Sequence, residues 1–280
     1  FRFDQWRMLS QELVEDYDIE ESLYFSILPT ATQYARNALF AGLMPEQIRK
    51  MYPDLWVEES EEEGKNLNEE MLIRHQMERF RRREVFHYHK LNDSVAADRF
   101  LGQFRKVTHA PLNVLVINFI DILSHARTES RMVRELASNE AAYRSITLSW
   151  FKHTAIKDLF TYLASLDYDI LITTDHGSIR VDSPIKVVGD KNVNTNLRYK
   201  VGKNMGYNKK EVFEMREPEQ YGLPRPNLSS NYIFAEGNKF FAYPNNYNYY
   251  VQYYKGTFQH GGISMEEMII PIITLHSKKY

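Results

Sequence analysis

Three nearly continuous apolar runs constrain the fold of this chain more than any other feature. They read LNVLVINFID (112–121), DYDILITTD (167–175) and MIIPIITL (268–275), and a fourth, SLYFSIL (22–28), precedes them. Runs without polar alternation are typical of strands that are buried on both faces of a sheet. Because helical patterns separate these runs, the sequence predicts an α/β fold, with a mostly parallel central sheet and helices on both faces.

One segment, at about 43–105, departs from this alternation. It is polar and helical in pattern, and it contains the acidic run EESEEEG and the basic cluster RRR. Charge runs of this kind are usually solvated, so we interpret the segment as a helical cap insertion rather than core. The 280 residues show no internal repeat and no low-complexity linker, which favours a single domain.

Composition excludes several classes of protein. The net charge of −2 gives no support for nucleic-acid binding over the whole surface, and no apolar run approaches the roughly 20 residues that cross a bilayer. The first residues, FRFDQWRMLSQELVEDYD, are charged throughout and are unlike a secretory signal. With no cysteine, disulfides and thiolate metal sites are excluded, and a cytoplasmic location is the plain interpretation. Any metal ion would be held by His, Asp, Glu or hydroxyl groups.

Tyrosine and phenylalanine are frequent, at 19 and 16 residues, and they concentrate in KFFAYPNNYNYYVQYYKGTF (239–258). Packed strands and loops with tyrosines at their rim explain such a cluster. A surface that stacks nucleotide bases is the alternative, and it is less favoured because basic residues are not interleaved.

Two of the apolar runs lead into an aspartate and a histidine. Asp121 and His125 occur in DILSH, and Asp175 and His176 occur side by side in TTDHG. In open α/β sheets, functional groups gather just beyond the carboxyl ends of the parallel strands. Taken singly, each pair has a plain alternative: the first spacing is common by chance, and Asp-His-Gly can be a turn in which the aspartate caps its own backbone.

Two further segments place polar groups close to apolar runs. PTAT follows the run at 22–28 and opens a short helix that ends at Gly42, while TFQHGG presents His260 shortly before the last run. Thr32 has the alternative role of a helix N-cap, and His260 that of an exposed loop histidine. Because each segment falls at the end of a predicted strand, the four together indicate a site more strongly than any one of them.

The residue types in these segments fit a metal centre. Aspartate and neutral imidazole are ligands that suit Zn²⁺ or Mn²⁺. Two aspartates and three histidines suffice for a pair of adjacent metal ions, which stabilise both the attacking and the leaving oxygen in a phosphoryl displacement. A threonine at a helix N-terminus adds exposed N–H groups that favour a phosphate or an alkoxide.

Four motifs, LPTATQYARNALFAG, INFIDILSHAR, LITTDHGSIRV and TFQHGGISMEEMIIPII, resemble those of the alkaline phosphatase superfamily and occur in the order expected of it. They are most similar to the PglZ branch, in particular to the effector domain of PorX-type response regulators of bacterial two-component systems. The resemblance implies zinc-dependent hydrolysis of phosphate esters, with phosphodiesters, including nucleotides or oligonucleotides, as the substrate class. It also implies protein partners in a signalling pathway.

The resemblance further implies roles for individual residues. Thr32 matches the metal-bound nucleophile, which becomes phosphorylated during the reaction, and Thr30 is the fallback if the register is wrong by two. The zinc sites that the resemblance implies are Asp121, His125 and His260 for one metal, and Asp175, His176 and Thr32 for the other. Arg198 and Lys200, in NLRYK, are candidates for contacts with the substrate phosphate, with a solvated strand edge as the alternative.

The family's second metal normally gains a further aspartate from a strand that precedes a segment like FRFDQWR. Here the chain begins at Phe1, and Asp4 is not the matching position. We therefore expect a fragment that lacks an upstream strand and a receiver domain, through which a homodimer would form, and whose second zinc site is incomplete. The insertion at 43–105 and the segment 189–215 would cover the active site as a cap.

An interaction domain that keeps the phosphatase fold but has little activity is the second hypothesis. A binding module has no reason to keep every hydroxyl, carboxylate and imidazole of a bimetal site, which favours the enzyme. A sulfatase is disfavoured because no cysteine is available to become formylglycine, and no sugar-phosphate clamp of a phosphomutase is recognisable.

Overall fold

The computed structural model describes residues 1–59, 64, 66–92, 94–104, 110–189 and 193–279. Its strands are β1 (Tyr17–Phe25), β2 (Phe86–Leu91), β3 (Leu112–Ile117), β4 (Ile170–Thr173), β5 (Ile179–Arg180), β6 (Ser183–Lys186), β7 (Tyr199–Gly202), β8 (Val212–Met215), β9 (Asn231–Ala235), β10 (Lys239–Ala242), β11 (Phe258–Gln259) and β12 (Ile269–Ser277). Its α-helices are α1 (Phe3–Leu9), α2 (Thr32–Ala41), α3 (Pro45–Met51), α4 (Glu69–Arg79), α5 (Ser94–Phe104), α6 (Phe119–Glu129), α7 (Arg131–Leu136), α8 (Glu140–Lys152), α9 (Ala155–Leu163), α10 (Tyr247–Tyr254) and α11 (Met265–Met268). None of the helices among these residues is long and apolar enough to cross a membrane.

The first of two compact units comprises Phe1–Tyr24, Arg83–Thr174 and Ile270–Tyr280. Its strands are ordered β1-β12-β4 in one sheet, in which β12 and β4 are antiparallel, while β2 and β3 form a parallel pair. Side chains from α1, α5, α8 and α9 share one apolar core with these strands, including Trp6 of α1 and Ile273 of β12. Burial of this core stabilises the first unit.

The second unit comprises Phe25–Arg82 and Asp175–Ile269. Strands β7, β9 and β8 form an antiparallel sheet, β6 and β10 pair in parallel, and β5 and β11 pair antiparallel. Tyr34 of α2, Leu72 of α4 and Phe234 of β9 belong to one core cluster, which joins the helices of this unit to its largest sheet.

Helix α2 begins and ends for identifiable local reasons. Ala31, in an extended conformation, precedes the helix, and Gly42 follows it with a φ of +59°. This left-handed conformation is one that glycine adopts at little cost. A Cβ at Gly42 would also lie 2.5 Å from Nε2 of Gln76. The predicted helix after PTAT, with its end at Gly42, is confirmed.

The predicted direction of the strands is not what the described residues show. Helices alternate with strands as the α/β prediction requires. Among the described pairs, β2–β3 and β6–β10 are parallel, whereas β5–β11, β4–β12, β7–β9 and β8–β9 are antiparallel. The last apolar run forms β12, which is antiparallel to β4. An apolar run indicates that both faces of a strand are buried and carries no information about strand direction. A mostly parallel central sheet therefore stays a prediction.

The apolar run SLYFSIL (22–28) differs from its prediction in both position and burial. The strand spans Tyr17–Phe25 rather than 22–28, and Leu23 and Phe25 are exposed. The first half of the strand, in YDIEESLYF, is rich in charged residues and therefore lacks the apolar pattern used to predict strands. It still pairs within the sheet, because backbone hydrogen bonds do not require apolar side chains.

The segment at 43–105 is partly core, which corrects its interpretation as a cap. Phe86–Leu91 forms β2 and pairs in parallel with β3, and Ile48 and Leu72 are fully buried. A few buried apolar side chains, Ile48 on α3 and Leu72 and Ile73 on α4, are enough to anchor these helices within a polar composition. Part of the acidic run lies outside the described residues, and coverage of the active site by this segment stays a prediction.

The tyrosine-rich segment forms β10 and α10. Phe240 of β10 is buried, whereas Tyr249 on α10 is exposed and lies parallel to the ring of Tyr253, with 6.1 Å between the ring centroids. Packed strands with peripheral tyrosines are thus found, but the tyrosines lie on a helix, where the i, i+4 spacing aligns their rings.

Candidate active site

The Asp-His pair lies directly after β4, where the chain enters the second unit. Asp175 and His176 are both buried, with exposed fractions of 7% and 6%. The hydroxyl of Ser26 donates to the Asp175 carbonyl at 2.5 Å, and the N–H of Gly177 donates to the Glu267 carbonyl at 2.9 Å. Backbone hydrogen bonds therefore fix the turn on both sides of the pair.

Thr32 is the first residue of α2, and its hydroxyl contacts the Nε2 atom of His176. The Thr32 Oγ1 atom lies 3.3 Å from Nε2 of His176. Ala31 occupies the N-cap position, so the alternative role of Thr32 as the N-cap is wrong. Because the Ala31 side chain has no polar atom that could cap the helix, the N–H groups of Thr32 and Gln33 point to the helix N-terminus and can bind an anion, whereas the N–H of Tyr34 donates to the Ala31 carbonyl at 2.9 Å.

Thr30 has a different environment from Thr32. Its side chain is fully buried, and its Oγ1 accepts the N–H of Gly261 at 3.0 Å while donating to the carbonyl of Gly262 at 2.9 Å. A buried hydroxyl whose donor and acceptor functions are both used cannot reach a substrate. The geometry therefore does not favour the fallback assignment of Thr30 as the nucleophile.

The two histidines of the second unit lie against each other with matching tautomers. The His176 and His260 rings are stacked, with 4.0 Å between their centroids. Nδ1 of His176 contacts the Gly177 carbonyl at 2.9 Å, and Nδ1 of His260 contacts the Thr30 carbonyl at 3.0 Å. A carbonyl oxygen only accepts, so Nδ1 carries the hydrogen in both rings and Nε2 carries a lone pair in the neutral form. The Thr32 hydroxyl thus donates to Nε2 of His176.

A buried arginine joins Asp175 to a second carboxylate. Nε of Arg36 donates to Oδ2 of Asp175 at 3.0 Å, and Nη1 of Arg36 lies 3.5 Å from Oε1 of Glu69. All three side chains are largely shielded from water, with exposed fractions of 12%, 6% and 1% for Arg36, Asp175 and Glu69. Such a chain of ionic hydrogen bonds restricts the rotamer of the Asp175 carboxylate.

The protonation states follow from these contacts. Burial alone would raise the pKa of Asp175, but the charge of Arg36, together with His176, holds that pKa well below its usual range. Burial lowers the pKa of His176 and the neighbouring His260 ring adds to this effect, while Asp175 opposes it; the net pKa is lowered. At neutral pH the site therefore holds an ionised carboxylate beside a neutral imidazole.

Four of the six predicted metal ligands lie in the second unit. Thr32, Asp175, His176 and His260 belong to the second unit, whereas Asp121 and His125 lie one turn apart on α6 in the first unit. The side chain of His125 lies outside the described residues. Within the part of the chain that the structure describes, no group of three or more His, Asp or Glu residues is arranged to hold a metal ion. The assignment of Asp121, His125 and His260 to one zinc ion stays a prediction.

A family model covers the whole of this site. The model of the BREX system PglZ alkaline phosphatase-like domain matches residues 1–275. The chain belongs to the PglZ family. The predicted resemblance is thereby confirmed at the level of the domain, and the fold is alkaline phosphatase-like. A closer relation to PorX-type response regulators stays a prediction.

Two solved structures are also similar to this PglZ domain. They are crystal structures of phosphonoacetate hydrolase from Sinorhizobium meliloti 1021, in complex with phosphonoformate and with phosphonoacetate, at 11% and 10% sequence identity. The TM-score is 0.38 in both cases, and each alignment covers 65% of this chain and 50% of the hydrolase chain. The chain thus spans about half the length of these structures. No curated protein matches it.

Neither basic residue proposed to contact phosphate lies at a solvated strand edge, so that alternative is wrong. Arg198 of the PglZ domain is fully buried and forms two hydrogen bonds with the Glu267 carboxylate, at 3.0 and 2.6 Å, and a further one with the Lys239 carbonyl. Lys200 is also buried; its Nζ donates to the Asn194 carbonyl at 2.7 Å. With these donors engaged, the geometry does not favour substrate contact by either residue, which stays a prediction.

The sequence interpretation missed two residues at the PglZ site. Arg36 follows Thr32 by four residues on α2, and that spacing places both side chains on one face of the helix. This spacing was the available signal for Arg36. Glu267 gave no signal of its own, because a glutamate in the first turn of a short helix is usually solvated.

The donor set of the PglZ site fits a metal ion in its chemistry. Both histidines bond a backbone carbonyl through Nδ1, an arrangement that orients a ligating imidazole and leaves Nε2 to coordinate. A carboxylate, an imidazole nitrogen and a hydroxyl suit Zn²⁺ or Mn²⁺. The residues that would hold such an ion here are Asp175, His176 and Thr32, the set predicted for one of the two sites.

Proposed function

We propose that this PglZ domain is a zinc-dependent phosphodiesterase in which Thr32 is the nucleophile. The observation that carries the proposal is the contact of 3.3 Å between Thr32 Oγ1 and His176 Nε2, at the first residue of a helix whose N-terminus has no side-chain cap. A nucleophilic hydroxyl needs a group that takes or weakens its proton and a positive environment for the attacked phosphate. Both are within reach of Thr32.

The residues of the chain perform three tasks in this proposal. Without metal, the lone pair of His176 Nε2 accepts the Thr32 hydroxyl, because the Nδ1–H of the same ring is held by a backbone carbonyl. When a metal ion is bound, the same lone pair would coordinate it, and the Thr32 oxygen would be a further ligand. The N–H groups of the first turn of α2 bind the phosphoryl oxygens. Arg36 keeps the Asp175 carboxylate ionised and in one orientation.

Asp175, His176 and Thr32 would hold the zinc ion, which would neutralise charge and lower the pKa of the threonine hydroxyl. The family supports a hydrolase of the alkaline phosphatase type. Zinc as the metal, phosphodiesters as the substrates and a place downstream of a response regulator rest on the motif resemblance, and they are part of this proposal.

The decisive experiment measures turnover of bis-p-nitrophenyl phosphate and of p-nitrophenyl phosphate after zinc has been added back. We expect the diester to be the better substrate and Thr32→Ala to lower its turnover by about 100-fold or more, since the attacking group is removed. Thr154→Ala is the matched control: Thr154 also adjoins a helix start, at the N-cap of α9, and makes no side-chain capping bond. It should turn over the diester at the parent rate.

A fully active Thr32→Ala variant would remove Thr32 as the nucleophile. A parent protein that binds zinc and hydrolyses neither substrate would favour the second hypothesis, an interaction domain that keeps the phosphatase fold.

A further inference from the structure

A buried ion pair between Arg198 and Glu267 lies beside the two loops that carry His176 and His260. Glu267 and Arg198 have no exposed side-chain surface, and their two side chains form parallel hydrogen bonds, Arg198 Nε to Oε1 at 3.0 Å and Nη2 to Oε2 at 2.6 Å. This bidentate geometry fixes the plane of the carboxylate as well as its charge. Each of the two carboxylate oxygens still has lone pairs for further donors.

Those further donors come from the loop that carries His260. Oε1 of Glu267 accepts the N–H of Gly262 at 2.9 Å, and Oε2 accepts the hydroxyl of Ser264 at 2.6 Å. Gly262 is two residues after His260, so the Glu267 carboxylate fixes the path of the backbone directly after the histidine.

The main chain of Glu267 bonds the loop that carries His176. The carbonyl of Glu267 accepts the N–H of Gly177 at 2.9 Å, one residue after His176. One residue therefore contacts both loops, through its side chain on one side and its main chain on the other. The stacked rings of His176 and His260 are carried by the two loops that Glu267 joins.

The His260 loop has little room to adopt another path. A Cβ at Gly262 would lie 2.5 Å from the Ala235 carbonyl, and a Cβ at Gly261 would lie 2.6 Å from the Tyr199 ring. Gly261 also has a φ of +122°, which residues with a side chain rarely adopt. On the opposite side, the Thr30 hydroxyl bonds both glycines. The loop is thus held between Thr30 and Glu267.

A buried ion pair is a poor device for stability alone, because apolar residues of similar size often replace it without loss. What apolar residues cannot provide is an acceptor for the Gly262 N–H. We propose that Glu267, anchored by Arg198, is a positioning residue that sets the relation between the His176 and His260 rings and thereby the affinity of the site for metal. This inference rests on the proposed function.

The experiment compares two variants that both remove the buried charges. Arg198→Met with Glu267→Gln keeps an acceptor oxygen for Gly262, whereas Arg198→Met with Glu267→Leu does not. Zinc affinity is measured by competition with a chromogenic chelator, and kcat and KM with bis-p-nitrophenyl phosphate. We expect the glutamine variant to stay within about threefold of the parent, and the leucine variant to bind zinc about 10- to 100-fold more weakly, with a lower kcat and a KM within about twofold.

Glu214→Gln is the matched control, since Glu214 also accepts several hydrogen bonds, from Tyr207, Arg216 and Asn231, away from the histidines. It should leave zinc affinity and kcat at the parent values. Equal zinc affinities in the glutamine and leucine variants would overturn the proposal, because the acceptor would then have no role.

A second readout needs neither metal nor turnover. Long-range ¹H–¹⁵N correlation spectra of the metal-free protein report the tautomer of each histidine. We expect the Nδ1–H form at His260 in the parent and in the glutamine variant, and tautomer exchange at His260 in the leucine variant. An unchanged His260 signal in the leucine variant would overturn the positioning role. A parent that shows the Nδ1–H form but no turnover would instead contradict the proposed function alone.

Discussion

The two threonines of PTAT show how residues of one type, two positions apart, acquire different roles. Thr30 is fully buried with both hydrogen-bonding functions used, whereas Thr32 begins α2 and faces His176. Reactivity follows from what surrounds the hydroxyl, since an oxygen that already serves two backbone groups cannot attack a phosphate.

The buried ammonium group of Lys200 makes the stability of the protein depend on pH. Burial lowers its pKa to about 7, with Nζ 4.7 Å from the centre of the Tyr243 ring. The unfolded chain holds this proton up to about pH 10.5, so between pH 7 and 10.5 the unfolded state binds more protons and the free energy of unfolding rises with pH. Lys200→Met removes this term, which is at most about 1.4 kcal/mol per pH unit.

Urea denaturation of the parent and of Lys200→Met at pH 7, 8 and 9 measures the effect. The stability of the parent should rise relative to that of the variant as the pH rises, and Lys209→Met, at an exposed lysine, should follow the parent. Parallel curves for the parent and Lys200→Met would contradict the prediction.

Helix α4 shows why a polar segment can still be part of the core. Most of EEMLIRHQMER is charged or polar, yet Leu72 and Ile73 are buried, and Leu72 shares a cluster with Tyr34 of α2. The helix that carries Thr32 and Arg36 is therefore supported by α4, and Glu69 in the first turn of α4 contacts Arg36. A cap that only covered the site would not pack against the helix that carries Thr32 and Arg36, as α4 does.

Leu72→Ala tests this role of α4. Deleting a fully buried leucine should lower the free energy of unfolding by about 2–5 kcal/mol, because the lost contacts and the cavity both contribute. Leu67→Ala, at a leucine of the same segment that is 77% exposed, should change stability by less than about 0.5 kcal/mol. Thermal unfolding followed by circular dichroism measures both, and equal effects would return the segment to the status of a cap.

The number of metal ions bound per chain reports how many sets of ligands are complete. Asp175→Asn should remove one zinc ion per chain, because it deletes the charged ligand that Arg36 orients. Asp182→Asn is the matched control, at an exposed aspartate of the same unit that pairs with Lys255. Elemental analysis of protein purified without chelator checks both variants, and an unchanged zinc content in Asp175→Asn would exclude Asp175 as a ligand.

The chain by itself determined the features that depend on local pattern. Apolar runs located β3, β4 and β12, and the Gly42 helix end followed from its neighbours. Four motifs identified the PglZ family and selected the candidates Thr32, Asp175, His176 and His260, whose side chains lie together in the second unit. These features are encoded within about ten residues of each position, by hydrophobic period and by side-chain chemistry.

Which side chains meet depends on the tertiary fold. It made β12 antiparallel to β4, used Thr30 as a loop anchor, gave Arg198 to Glu267 and placed Arg36 on Asp175. Strand direction and the partner of a buried charge depend on residues far apart in the chain. A buried charge pairs with a group of opposite charge that the fold brings within reach, because an unpaired buried charge would lose its hydration without compensation.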